Sequence, residues 1–444
     1  MSGTPRVASA LVIGALSLIY LPDIGHGFLR DDFRWIRAAR VERVSDVRRI
    51  FAENVGFYRP VVTASFAVNR TLFGLRPFPY ALTNFGLLLV CMWLMVRLGS
   101  LIGLTPSFAL VAAALWALNF HGVNMALLWI SGRTALLLCV FALAALAAFL
   151  RGRQWWAAVW CLLAMLSKEE AVVLPVVLMC WKWYSSDDRR LPVLIEAGTR
   201  TLPAVGAVAL YVVLRAWSGA FGPMDAPEYY RFTFAPADVA RNAAEYIDRA
   251  CTLVILAILL TLAIVRRRPA LPSGERRVVQ LSMLWLVSGF ALTLFLPIRS
   301  SLYALFPSIG SCLAGAMVLQ AFHRGAPARV RGVVITLLVL AFALVPVYWS
   351  RNERWVTPAD LSHRVVADLQ AIGGSFPHGS RLLAIDDESE GLLGVFDGLF
   401  ADAVTLYVDR DTTGQLVDSK ATMPVDRDIV RLRLRGDSLV AEQR

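Results

Sequence analysis

Apolar runs long enough to cross a lipid bilayer recur from residue 7 to residue 349, and they leave this chain few folds to choose from. In hydrocarbon every backbone N–H and C=O must find a protein partner, so a run of about twenty apolar residues reads as a helix. The expected spans are 7–22, 80–101, 106–121, 128–150, 155–167, 171–184, 201–216, 250–265, 279–297, 302–322 and 332–349, the two between 155 and 184 being short. Hydrophobic residues make up 57% of the sequence and mean hydropathy is +0.59, more apolar than a soluble chain of this length. The expected class is an all-α polytopic membrane protein of about 11 transmembrane helices. After Tyr20 the first run meets no small-residue cleavage site, which favours a span over a removable signal.

Arginine assigns the sides. With Arg6 and the N-terminus in the cytoplasm, Arg151 and Arg153, then Lys182, Arg189 and Arg190, then Arg266 to Arg268, then Arg324, Arg329 and Arg331 all fall inside, as the positive-inside bias requires. The net charge of +11 is concentrated in these clusters, so nucleic acid is not an expected partner. All six cysteines lie within apolar runs, which argues against a disulfide framework or a zinc site. An odd number of spans puts the polar residues 350–444 outside the inner (plasma) membrane, on the periplasmic or extracellular side. Two units are expected: a multi-pass transmembrane unit, 1–349, and a small extracytoplasmic α/β module, 350–444. In the module a helix is expected at 357–372 and strands at Arg381 to Ile385, Ala403 to Val408 and Ile429 to Leu434. Its acidic stretch Asp386, Asp387, Glu388 and Glu390 reads as a solvated loop.

The polar residues that hydropathy does not explain gather on the outer side. In the first outer loop, 23–79, Asp31 and Asp32 stand side by side, a costly placement at the mouth of a bundle and so a functional candidate. Their mutual repulsion lifts one pKa and can split their roles. The competing reading is a cap on the helix beginning near Phe33. Four cations accompany them: Arg59 in Phe57-Tyr58-Arg59-Pro60, Arg133 and Arg299 at span ends, and Lys168, one of three lysines in the chain. Guanidinium groups suit bidentate phosphate binding and an ammonium acts as a point charge; snorkelling to lipid headgroups is the alternative for Arg133 and Arg299. Of the neighbours of Lys168, Glu169 is grouped with the site and Glu170 is read as structural. His121, at the outer end of its run, is a weak acceptor-side candidate.

A series of short motifs runs in order along the first three-quarters of the chain: Asp31-Asp32; Tyr58-Arg59-Pro60-Val61-Val62 leading into Ser65-Phe66-Ala67-Val68-Asn69; Leu72-Phe73-Gly74-Leu75 with Pro77-Phe78-Pro79-Tyr80 and Asn84; Trp129-Ile130-Ser131-Gly132-Arg133; Leu166-Ser167-Lys168-Glu169; and Arg299 with Tyr303 and Pro307-Ser308-Ile309-Gly310. The series resembles the GT-C superfamily of integral-membrane glycosyltransferases. The branch it is most similar to is the protein O-mannosyltransferase-like group, the bacterial relatives of the tetratricopeptide-repeat enzymes, although no such repeat is present here.

The resemblance implies a GT-C-like fold and transfer of a sugar from a polyprenyl-phosphate donor to an acceptor hydroxyl at the outer leaflet. It implies a first-loop aspartate as catalytic base, mapping onto Asp31 or Asp32, and a donor site drawn from Tyr58, Arg59, Arg133, Lys168, Glu169, Arg299 and Tyr303. The chemistry agrees: a sugar bonded to phosphate already carries a good leaving group, so one carboxylate to take the hydroxyl proton suffices. The partners implied are the lipid-linked sugar, membrane lipids and a glycan, lipid or protein acceptor. No spacing demands a metal; no cofactor is expected, and the acidic pair remains compatible with a divalent cation. A transporter or flippase of lipid-linked sugars would show paired internal repeats, which are absent from the sequence. A surface-polysaccharide polymerase or ligase would share the donor and the arginines.

Overall fold

The computed structural model describes residues 4–52, 57–186, 190–220, 230–373, 379–386, 391–418 and 429–442. Arg189, Asp387, Glu388 and Glu390 lie outside them. Among the described residues five helical segments are long and apolar enough to cross a membrane: Arg6–Asp23, Pro77–Leu101, Ile130–Leu150, Leu191–Trp217 and Pro236–Val265. Two bent pairs raise the number to seven, Pro106–Ala117 with Phe120–Leu128 at 67° and Pro327–Ala343 with Val345–Gly373 at 50°. The sequence expects eleven. Four expected spans are not among these seven: Gln154–Met165 and Leu174–Ser185 have 12 residues each, about 18 Å of helix against the ~30 Å of a hydrocarbon core, while 279–297 and 302–322 fall on the helices Ser273–Gly289 and Ser308–Gly325 of 17 and 18 residues.

Proline opens many of these helices. Pro60, Pro77, Pro106, Pro236 and Pro327 all sit in first turns, where a missing N–H is harmless and φ is already helical. Ile130–Leu150 is the innermost span, with 78% of its window buried, and the Pro77–Leu101 and Gln154–Met165 helices pack against it.

The helix Val345–Gly373 runs unbroken through Thr357 and Pro358, where the sequence expects a fresh start. It leads to a four-stranded sheet of β1 (Arg381–Asp386), β2 (Thr413–Asp418), β3 (Ile429–Arg435) and β4 (Ser438–Ala441) in the order β2-β1-β3-β4. β1 pairs in parallel with β2 and β3, Arg381 standing opposite Thr413 and Ile429, and β4 closes the edge antiparallel to β3. Ala403 to Val408, expected as a strand, instead falls largely in the helix Phe400–Tyr407. Its β-branched composition suggests a strand, but the buried Phe400, Ala403 and Val404 follow helical spacing and pack in the core.

The sheet and its helices rest on the first loop. Phe33 packs against Phe396 at 5.2 Å between ring centroids, and Arg37 meets Asp402 at 2.8 Å. Gly27 N–H donates to Ala359 O at 3.2 Å, an approach so close that a β-carbon on Gly27 would lie 2.5 Å from that oxygen. Gly27→Ala is therefore expected to lose about 1–3 kcal/mol of stability, read as a lower thermal midpoint in detergent.

Candidate active site

The acidic pair opens the helix Asp31–Ala38. Successive residues on a helix point about 100° apart, so the two carboxylates face different surroundings. Asp32 turns inward and is buried. Its Oδ1 accepts from Ser131 N–H at 2.7 Å and from the Ser131 hydroxyl, and its Oδ2 accepts from Leu29 N–H at 2.9 Å. Burial pushes Asp32 up to about 7 against the pull of these three donors, and the charge of Asp31 adds to the rise. Asp32 thus pins the loop to the turn that begins the innermost span.

Asp31 is half-buried and its carboxylate accepts no hydrogen bond among the described residues. Burial raises its pKa, the positive charges of Arg34, Arg59 and Arg30 partly offset the rise, and Asp397 adds to it. A carboxylate with vacant lone pairs, a raised pKa and a guanidinium nearby is equipped to take a proton.

Arg59 forks onto Glu169, Nε to Oε2 at 3.1 Å and Nη2 to Oε1 at 2.7 Å, and lies 4.2 Å over the Phe57 ring. Burial pushes Glu169 up, but the charge and hydrogen bonds of Arg59 outweigh it and hold Glu169 at about 2. Beside this pair Lys168 Nζ meets Glu170 Oε1 at 2.6 Å, both side chains buried, with the ammonium 4.6 Å from the centre of the Tyr303 ring. Tyr303 packs against the small core that includes Tyr246 and Ala250, on the helix that carries Glu245 and Arg249.

There the charges no longer balance. Arg299 Nε, Arg249 Nη2 and Arg241 Nε converge on the one carboxylate of Glu245 at 3.3, 2.9 and 3.3 Å, and Arg249 Nη1 also donates to Arg299 O at 3.0 Å. The surplus is positive and partly exposed.

The fold thus brings together Asp31, Arg59, Lys168, Glu169 and Tyr303, with Arg299 at the far end of the row. Other sequence candidates are engaged elsewhere. Arg133 is fully buried, its Nε donating to Asn84 Oδ1 at 2.8 Å, its Nη2 to Tyr80 O at 2.9 Å and its Nη1 to Ser65 O at 3.3 Å. The Phe66 ring covers it at 4.6 Å, which closes it to a ligand. The Tyr58 hydroxyl donates to Phe51 O at 3.1 Å within the loop. The His121 ring lies 4.3 Å from that of Phe120, tilted by 44°, and Arg351 lies 4.1 Å over that same Phe120 ring. Sequence reasoning misses Arg249, Glu245, Arg30 and Asp397. Only Arg241, Glu245 and Arg249 left a signal, their four-residue spacing on one helical face. Among the described residues no three His, Cys, Asp or Glu side chains gather as a metal site.

No protein-family model matches the sequence, and no curated protein matches it. Among solved structures the arabinofuranosyltransferase AftD from mycobacteria is similar at a TM-score of 0.58 and 14% identity, over 94% of this chain and 32% of that one. This chain therefore spans about a third of the length of that relative. ArnT from Cupriavidus metallidurans, solved bound to undecaprenyl phosphate, is similar at a TM-score of 0.47 and 14% identity, over 93% of this chain and 86% of that one. The likeness to AftD shows a shared fold. With its long apolar helices, the chain is an integral membrane protein.

Proposed function

We propose that this protein is a glycosyltransferase that moves a sugar from a polyprenyl-phosphate donor to an acceptor hydroxyl, with Asp31 as general base. The observation that carries the reading is the division of the acidic pair: Asp32 is saturated by three donors, while Asp31 keeps its lone pairs and faces the cations. As the acceptor oxygen bonds to the anomeric carbon, its proton passes to Asp31 and the carbon–oxygen bond to phosphate breaks. The polyprenyl phosphate leaves with the electron pair and needs no proton at neutral pH.

The departing phosphate gains charge, and the surplus guanidinium groups of Arg299 and Arg249 are placed to receive it. Arg59 and Lys168, each already matched by a carboxylate, fix the Phe57–Pro60 and Ser167–Glu170 segments around Asp31 and set its field. The motif series that resembles the O-mannosyltransferase-like group supports a hexosyl, mannose-type donor. The distribution of arginine among the loops supports an outer-face site with the N-terminus in the cytoplasm.

Two measurements test this. Purified protein incubated with lipid-linked sugars from its source membranes should release polyprenyl phosphate when an acceptor is present; failure to do so with the wild type overturns the reading. Arg299→Ala and Arg249→Ala should each weaken undecaprenyl phosphate binding about tenfold, as loss of a charge-assisted contact does. Unchanged binding in both would move the phosphate elsewhere.

A further inference from the structure

Arg30, immediately before the proposed base, has φ 48° and ψ −120°, a backbone conformation that residues with a β-carbon rarely adopt. Such outliers persist only where the surroundings over-determine them. Here the surroundings come from the C-terminal segment. Arg30 N–H donates to Val395 O at 2.9 Å and its Nε donates to Gly394 O at 3.0 Å, both on the short helix Leu392–Phe396. The Arg30 guanidinium lies 6.0 Å over the Trp355 ring. Trp355 in turn stacks on Trp129 at 5.9 Å and 7°, two residues before the serine that anchors Asp32. The next residue of the same short segment, Asp397, places its charge in the field of Asp31.

We propose that Arg30 is a positioning residue through which the C-terminal segment aims Asp31 at Arg59, so that Leu392–Phe396 completes the site from outside the bundle. The φ and ψ of Arg30 set the direction in which the helix Asp31–Ala38 departs. Relaxation to negative φ would break the bond to Val395 and swing Asp31 away from the cations. The kinetic consequence rests on the glycosyltransferase reading; the clamp itself does not.

Full-length Arg30→Gly and Arg30→Ala separate the backbone from the side chain, since both lose the bond to Gly394 but only glycine reaches this φ without steric cost. Arg30→Ala should lower turnover of the lipid-linked sugar about a hundredfold, the scale of an ångström-level misplacement. Its undecaprenyl phosphate affinity should stay at the wild-type value, and hydrogen-exchange protection across residues 28–36 should be lost. Arg30→Gly should keep that protection and lose turnover only about threefold. Equal protection and turnover in all three proteins would overturn the proposal, as would a glycine variant impaired as deeply as the alanine one. If even the wild type turns nothing over, the glycosyltransferase reading fails, and the difference in exchange between the alanine and glycine variants still decides the clamp.

Discussion

Replacing Asp31 with Asn is expected to lower sugar transfer by about 10²–10⁴-fold, the usual contribution of a positioned general base, without unfolding the protein or weakening undecaprenyl phosphate binding. The carboxamide is isosteric with the carboxylate but has no lone pair basic enough to take the hydroxyl proton. Stability should hold or rise, by the following linkage. Burial raises the folded-state pKa of Asp31 above its unfolded value, so the native state binds the proton more tightly than the unfolded chain does. The stability tied to that proton is present at low pH and is lost as pH climbs through the raised pKa. At neutral pH the ionised carboxylate is therefore a burden that the amide removes, as expected where a residue is retained for chemistry at a cost in stability. The same shift predicts the pH profile. Turnover requires the ionised form, so it should fall on the acid side through an apparent pKa above the ordinary aspartate range, and that limb should be absent from the residual activity of Asp31→Asn. Wild-type rates in Asp31→Asn, measured as release of polyprenyl phosphate, would remove Asp31 from the mechanism.

Arg133→Ala should have the largest effect on stability, about 3–5 kcal/mol, because it opens a cavity and orphans buried acceptors together. The guanidinium is the hub that joins three helical segments: Asn84 and the Tyr80 carbonyl from Pro77–Leu101, the Ser65 carbonyl from Pro60–Phe73, and its own span. Among the described residues no carboxylate is hydrogen-bonded to it, and its charge is held by carbonyl dipoles and the faces of Phe66 and Tyr80. Lysine cannot reproduce the fork and should rescue little. The yield of monodisperse protein and its thermal midpoint report the loss. A variant as stable as the wild type, with turnover selectively lost, would return Arg133 to the donor site.

Arg133 also shows where sequence reasoning stops. A single arginine at the start of an apolar span is visible in the sequence, and a membrane-depth cation is a sound functional candidate. Whether it points at a ligand or at three backbone and side-chain oxygens depends on Ser65, Tyr80 and Asn84, which lie 49 to 68 positions earlier in the chain. The opposite happened with the helix Pro236–Val265: the four-residue spacing of Arg241, Glu245 and Arg249 is visible in the sequence, but the return of Arg299 to the same carboxylate, which brings a third cation to it, is visible only in the fold. The count of spans differs for a related reason. Apolar character reports an apolar environment but not the length of the helix within it, so 12-residue helices resemble short spans. In the C-terminal segment, Arg381–Asp386 and Ile429–Arg435 are strands as expected, whereas Ala403 to Val408 took the helical spacing of its buried face.

The sequence alone determined the class of molecule, a helical protein built for a membrane, and the inventory of charge held apart from the apolar runs. Hydropathy, proline placement and charge are carried within a few residues, and local physics reads them directly. Tertiary structure decided which aspartate is anchored and which is open, since Asp32 meets its serine 99 positions away. It also decided which cations are already matched, since Arg59 finds Glu169 across 110 positions. Adjacent carboxylates are equivalent until packing desolvates them differently and supplies donors to only one.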